Sequence, residues 1–217
     1  MAKQEKVKLN KYEKWFRTIR RFEKTVFRCL FPYKKHGHTE AFTDGPYIFV
    51  GNHLGDLDVA YVASALNKPV HFLAKKELFE KGLMKWFVNK CQCIPVNRDG
   101  TDYKAIMQAM KYLKNGESIA IYPEGKRNFT DEIMLPFKSG AAAISIKTKT
   151  PIVPVVNLKR IKLFSHGHVL YGDPIEFTEY YDKRLTEEDV AKCDDELRQR
   201  MLDLYSQLSE MTKKKKK

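Results

Sequence analysis

Residues 47–66 read YIFVGNHLGDLDVAYVASAL: a short apolar run, a polar turn carrying one histidine and two aspartates, then a second apolar run. Residues 47–50 are β-branched or aromatic and predict a buried strand, whereas residues 58–66 carry valine, alanine and leucine with few polar interruptions and predict a helix. Gly51 and Gly55 supply the freedom a sharp exit from the strand needs, and Asn52 or Asp56 is placed to satisfy free N–H groups at the helix start. On one regular helix, positions five apart stand about 140° apart around the axis, so His53 and Asp58 share no helical face. They meet only if His53 lies in the turn, with a carboxylate from the first helical turn reaching back to it. An imidazole held in that way is the arrangement of a general base with its orienter.

The rest of the chain bounds this reading. With 217 residues and 43% hydrophobic content, it can bury a full core and is expected to form one domain with appendages. Cys29, Cys91, Cys93 and Cys193 form neither a CxxC pair nor a disulfide framework, which fits a reducing, cytoplasmic setting. No apolar run approaches the roughly 20 residues of a spanning helix, and the charged N-terminus lacks a signal peptide's apolar segment.

The formal charge of +13 sits at the two ends: residues 1–38 hold 12 Lys or Arg against three Glu, the last five residues are all lysine, and the body between is almost neutral. Within the first segment, Tyr12, Trp15, Phe16, Ile19, Phe22, Val26, Phe27 and Leu30 follow helical spacing, opposite Lys11, Lys14, Arg17, Arg20, Arg21, Lys24 and Arg28. This is the pattern of a helix lying in a membrane interface. A helix whose aromatic face packs on the domain while its basic face is solvated has the same pattern. A nucleic-acid arm explains the charge but not the aromatic stripe, so no nucleic-acid partner is expected. The expected organisation is a basic amphipathic segment over 1–38, a domain over 39–211 and a basic tail over 212–217.

From Thr39 onward, short apolar runs alternate with helical patterns. PVHFLAK, CIPVN, SIAIYPEG, PIVPVVNL and HVLYGDPIEF read as strands, DYKAIMQAMKYLKNG as a helix stopped by Gly116, and residues 186–211 as a closing helix. The expected fold is α/β, a mixed central sheet flanked by helices, preceded by the docking helix. HGH occurs twice, at residues 36–38 and 166–168, with no carboxylate or cysteine at a complementary spacing, so no metal site is expected. His71, inside an apolar strand, reads as a satisfied core residue.

The second chemical locus, IYPEGKRNF, places Glu124, Gly125, Lys126 and Arg127 after another apolar strand. A turn of that kind lets the backbone approach a ligand while a guanidinium grips phosphate oxygens in a fork. Arg98 in CIPVNR, with Lys75 and Lys76 in KKELF, ends or follows other strands.

In this order NHLGDLD, KKELF, CIPVNR, YPEGKRN and PIVPVV resemble the successive motifs of the glycerophospholipid acyltransferases, over about half of the chain. The resemblance implies His53 as catalytic base in an HX4D motif with Asp58 as its partner. It implies an acceptor-binding motif of Glu124, Gly125 and Arg127 with Lys126 between them, and substrate-binding roles for Lys75 and Arg98. Lys126 and Asn128 stand where the family commonly has threonine and serine. The implied reaction moves a fatty acyl group from a thioester, acyl-CoA or acyl-acyl carrier protein, to the free hydroxyl of 1-acylglycerol 3-phosphate. Glycerol 3-phosphate or another lysophospholipid is the alternative acceptor, and a non-enzymatic basic protein that binds membranes or nucleic acid is the reading that uses only the ends. No serine or cysteine adjoins His53, so direct attack by the acceptor's hydroxyl is expected, with no cofactor and no metal. The expected setting is monotopic, on the cytoplasmic face of an anionic membrane.

Overall fold

The structure, a computed structural model, describes residues 11–37, 42, 45–65, 68–97, 100, 102–138 and 140–213. Seven strands form one sheet: β1 (Tyr33–Gly37), β2 (Ile48–Gly51), β3 (Val70–Lys75), β4 (Ile94–Val96), β5 (Ser118–Ile121), β6 (Ile152–Asn157) and β7 (Gly167–Tyr171). Their spatial order is β1-β7-β6-β2-β5-β3-β4. Every pairing is parallel except β6 with β7, so the sheet is mixed, as the alternating pattern predicted. The central strands β2, β5 and β6 are buried at every position, the continuous apolar burial that parallel strands covered on both faces require.

The helices are α1 (Lys11–Phe22), α2 (Arg28–Leu30), α3 (Asp58–Ala65), α4 (Gly82–Lys90), α5 (Tyr103–Lys114), α6 (Ala141–Thr148) and α7 (Glu187–Lys213), with a π-helical turn, Glu23–Phe27, joining α1 to α2. One face of the sheet packs Ile48, Val50, Ile119 and Ile152 against α5, α6 and the Cys193, Leu197, Met201 and Leu208 stripe of α7. The other face packs Phe49, Val70 and Val153 against Tyr61 and Val62 of α3 and Phe16 of α1.

Two features depart from the sequence reading. Tyr33–Gly37, within the segment expected to be a helical appendage, is an edge strand of the sheet, paired with β7. The N-terminal stripe is also divided. Tyr12 and Phe16 are buried, and the Tyr12 hydroxyl donates to the carbonyls of Val70 and Cys91, whereas Phe22, Val26 and Leu30 are exposed. Each such buried aromatic contributes about 2 kcal/mol, which ties the helix to the body. No helix among the described residues is long and apolar enough to cross a membrane.

Candidate active site

Parallel strands bring their carboxyl ends to one edge, where the turns after β2 and β5 hold His53 and Glu124 and the last residues of β6 and β3 are Asn157 and Lys75. Gly51 closes β2 without a side chain because Tyr122 occupies the space: a Cβ there would stand 2.8 Å from the Tyr122 ring. The chain then turns, and α3 starts at Asp58.

Asp58 organises the turn. It is 2% exposed, and its Oδ2 lies 3.2 Å from His53 Nδ1 while accepting the N–H groups of Leu54 at 2.6 Å and Gly55 at 2.7 Å. Its Oδ1 accepts from Asn157 Nδ2 at 3.1 Å. The Leu54 and Gly55 N–H groups belong to the turn ahead of α3, so Asp58 ties the turn together, and neither Asn52 nor Asp56 takes the helix-start role foreseen for it. Asn52 instead exchanges two hydrogen bonds with the main chain of Asn157, and Asp56 pairs with Arg127. A carboxylate so engaged holds Nδ1 as the donor and leaves Nε2 with its lone pair.

Glu124 braces the same turn from the β5 side. Its Oε1 accepts the His53 N–H at 2.7 Å and its Oε2 the Leu135 N–H at 2.9 Å, while the His53 carbonyl accepts from the Asn128 N–H at 2.7 Å. Both main-chain polar groups of His53 are therefore fixed. Burial raises the Glu124 pKa above the ordinary carboxylate range, against the two N–H bonds that favour its ionised form. Gly125 has φ +67°, the left-handed conformation that favours glycine, and the stem of Lys138 lies over it.

His53, 13% exposed, opens onto a cavity of about 430 Å³ whose walls include Leu73, Val96, Ile106, Ile121 and Ile144, with Lys138 beside them. Arg127 and Lys126 are exposed on the Glu124 turn. Lys75 ends β3 on the same edge with its Nζ 3.3 Å from Glu77 Oε1. Arg98 lies outside the described residues. The structure thus brings His53, Asp58, Glu124 and Gly125 into one cluster, with Arg127 joined to it through Asp56. Asn157, Tyr122, Lys138 and Arg160 were not singled out from the sequence. The signal for Asn157 was there, an asparagine closing an apolar strand as in GNH, but its partner follows only from strand order.

Residues 33–157 match the acyltransferase family. The chain is 29% identical over 174 residues to a 1-acyl-sn-glycerol-3-phosphate acyltransferase of Bacillus subtilis, covering 77% of this chain and 85% of that protein. It is 30% identical over 154 residues to a protein of the same name from Streptococcus pneumoniae, covering 68% of this chain and 56% of that one. The fold is similar to the crystal structure of the 1-acyl-sn-glycerophosphate acyltransferase PlsC from Thermotoga maritima, with a TM-score of 0.70, 21% identity, and coverage of 95% of this chain and 84% of that one.

Proposed function

The chain belongs to the acyltransferase family, and from that premise we propose that it transfers a fatty acyl group from a thioester to the free hydroxyl of 1-acylglycerol 3-phosphate, forming phosphatidic acid. The observation that carries the reading is the Asp58–His53 pair at the mouth of an apolar cavity, on the edge where Arg127 and Lys75 stand.

Attack by the acceptor's hydroxyl oxygen on the thioester carbonyl forms the ester bond. His53 Nε2 takes the hydroxyl proton, the carbon–sulfur bond breaks, and the proton passes to the departing thiolate, so the products are an ester and a free thiol. Asp58 keeps Nδ1 protonated and stabilises the imidazolium that forms in between. Glu124 acts as a brace, since its two oxygens are taken up by main-chain N–H groups. Arg127 is the charge for the acceptor's phosphate and Lys75 a more distant one. The apolar cavity suits a hydrocarbon chain.

The acceptor is an amphiphile, and two exposed apolar surfaces favour docking on a lipid surface as a monotopic protein. Phe22, Val26 and Leu30 project from the N-terminal helix among exposed Lys14, Arg17, Arg21, Lys24 and Arg28. Leu83, Met84, Trp86 and Phe87 project from α4 beside Lys81 and Lys85. Trp15 and Trp86 meet edge to face with centroids 5.4 Å apart, which joins the two surfaces.

Incubating the protein with 1-acylglycerol 3-phosphate, glycerol 3-phosphate and other lysophospholipids, each with acyl-CoA or acyl-acyl carrier protein, and identifying products by mass tests the reading. Phosphatidic acid from the wild type, formed at least about a hundredfold more slowly by His53→Ala, is the expected result. No acylated lipid from any pair sinks it.

A further inference from the structure

Three residues after the end of β6, Arg160 crosses the turn that carries His53. Its Nε donates to the carbonyl oxygen of Leu54 at 2.7 Å. Its stem lies on Gly55, where a Cβ would stand 2.9 Å from Arg160 Cγ, so a side chain at position 55 pushes it away. Its guanidinium carbon lies 4.8 Å from the ring centroid of Phe129, and the guanidinium carbon of Arg127 lies 5.2 Å from the same centroid. One ring thus gathers two cations that arrive from different strands.

Arg127 has a resident anion, Asp56 Oδ2, at 2.6 Å. Among the described residues Asp56 is the one carboxylate paired with either guanidinium. Together with Gly55, Leu57 and Ile161 these three charged side chains line a cavity of about 220 Å³. A water occupies about 30 Å³, so the space is ample for a phosphate group. It shares no lining residue with the apolar cavity: His53 opens onto the apolar one, and residues 55–57 of the same turn line the polar one.

We propose that this polar cavity seats the acceptor's phosphate and that Arg160 is its second guanidinium, beside Arg127; the assignment rests on the acyl-transfer reading. Two guanidiniums carry a charge that one carboxylate leaves half compensated. A phosphate monoester, at about −1.5 to −2 near neutral pH, matches the pair once Asp56 turns away. That displacement is inexpensive, because Asp56 is 78% exposed and an exposed ion pair is worth at most about 1 kcal/mol. With Nε engaged by Leu54, the two terminal nitrogens of Arg160 are its donors to the oxyanion. The phosphate is then held by the same turn that holds the base, which fixes the distance from anchor to reacting hydroxyl.

Inorganic phosphate is the probe, added to the full chain at constant ionic strength while thermal unfolding is followed. Phosphate should raise the unfolding temperature of the wild type, have little effect on Arg160→Gln, and have an intermediate effect on Arg160→Lys, which keeps the charge and loses the fork. In transfer assays Arg160→Gln should raise KM for 1-acylglycerol 3-phosphate at least about tenfold more than KM for the thioester, the scale of one charge-assisted hydrogen bond. Equal phosphate stabilisation of wild type and Arg160→Gln, or no stabilisation of either, overturns the site. A rise confined to the thioester KM overturns its assignment to the acceptor. A wild type that binds phosphate through Arg160 but yields no acylated lipid sinks the transfer reading and leaves the anion site standing.

Discussion

The phenol ring of Tyr122 lies against the imidazole of His53, with centroids 4.5 Å apart and planes inclined by 26°. The ring restricts rotation of the imidazole away from Asp58, whereas the Tyr122 hydroxyl is buried without a hydrogen-bond partner among the described residues, and burial holds its pKa well above the ordinary value. Ring and hydroxyl therefore act in opposite senses. Tyr122→Phe should keep turnover within about threefold and raise stability by about 1 kcal/mol, because an unpaired buried hydroxyl is removed. Tyr122→Leu should lower kcat by about tenfold with little change in KM. Urea unfolding and steady-state kinetics on both variants check the split, and a Phe variant as impaired as the Leu variant would give the hydroxyl a chemical part.

Removing the proposed base should have a larger effect. His53→Ala should lower the transfer rate constant by about 10² to 10⁴, the range for loss of general-base assistance. Asp58→Asn should be nearly inactive, since its Oδ2 serves three donors at once. Asn157→Ala, which removes the partner of Asp58 Oδ1, should cost about tenfold. Single-turnover transfer with a labelled acyl donor measures all three, and near-normal turnover by folded His53→Ala refutes the base assignment.

The cations proposed for the acceptor's phosphate should act on the acceptor alone. Arg127→Ala should raise KM for the phosphorylated acceptor well above any change for the thioester, and Lys75→Ala should do so more mildly. Asp56→Asn should act in the opposite direction, because it releases Arg127 from its resident anion. Initial rates with one substrate varied at a time provide the comparison.

Trp15 and Trp86 are the chain's two tryptophans, and they touch each other on the surface proposed to dock on lipid. Anionic vesicles at low salt should shift their emission to shorter wavelength, and high salt should reverse binding only in part, because apolar contacts are not screened. Phe22→Glu with Val26→Glu, or Leu83→Glu with Phe87→Glu, should each weaken sedimentation with vesicles. These substitutions are better probes than deleting residues 1–31, since that deletion removes the buried Tyr12 and Phe16. Unchanged sedimentation in both double variants rules out this surface.

Asp194 gives a pH signature. It is 5% exposed, its Oδ1 accepts the Ala142 N–H at 3.3 Å at the start of α6, and burial lifts its pKa from 3.8 to about 6. A carboxyl with a raised folded pKa binds its proton more tightly in the folded state. Stability then falls as pH rises from about 4 to about 6, by about 3 kcal/mol for a difference of that size. Asp194→Asn should lack that decline in urea titrations at pH 4.5 and 7, and parallel profiles for wild type and variant would exclude the assignment.

The turn at residues 51–58 was legible because glycine, histidine and aspartate stand between two apolar runs, and only one geometry lets residues 53 and 58 meet. The strands from β2 onward were legible from their apolar runs, but their order was not, and Asn157 reaches Asp58 only because β6 lies beside β2. Edge strand β1 escaped notice because YKKHG carries Tyr33 and His36 inward on a mostly charged background, with no alternation to read. The N-terminal stripe looked continuous on a helical wheel, yet Phe16 faces the core while Phe22, still within α1, already faces outward, and the π turn Glu23–Phe27 then changes the helical phase ahead of Leu30. Arg160 follows an ordinary strand, and only the fold carries it back over Gly55.

The N-terminal helix leads through Phe31 and Pro32 into a strand hydrogen-bonded along the sheet edge, and the Phe164 N–H donates to the Leu30 carbonyl at the join. A segment fastened in that way behaves as a rigid keel and not as a tether. Among the described residues it is tied to the body at both ends, through Tyr12 and through Leu30, so any plane on which its outer residues rest would be presented to the candidate site at a single height and tilt. Reaching a substrate embedded in that plane then depends on how far the lipid rises, because the protein has little freedom to lean.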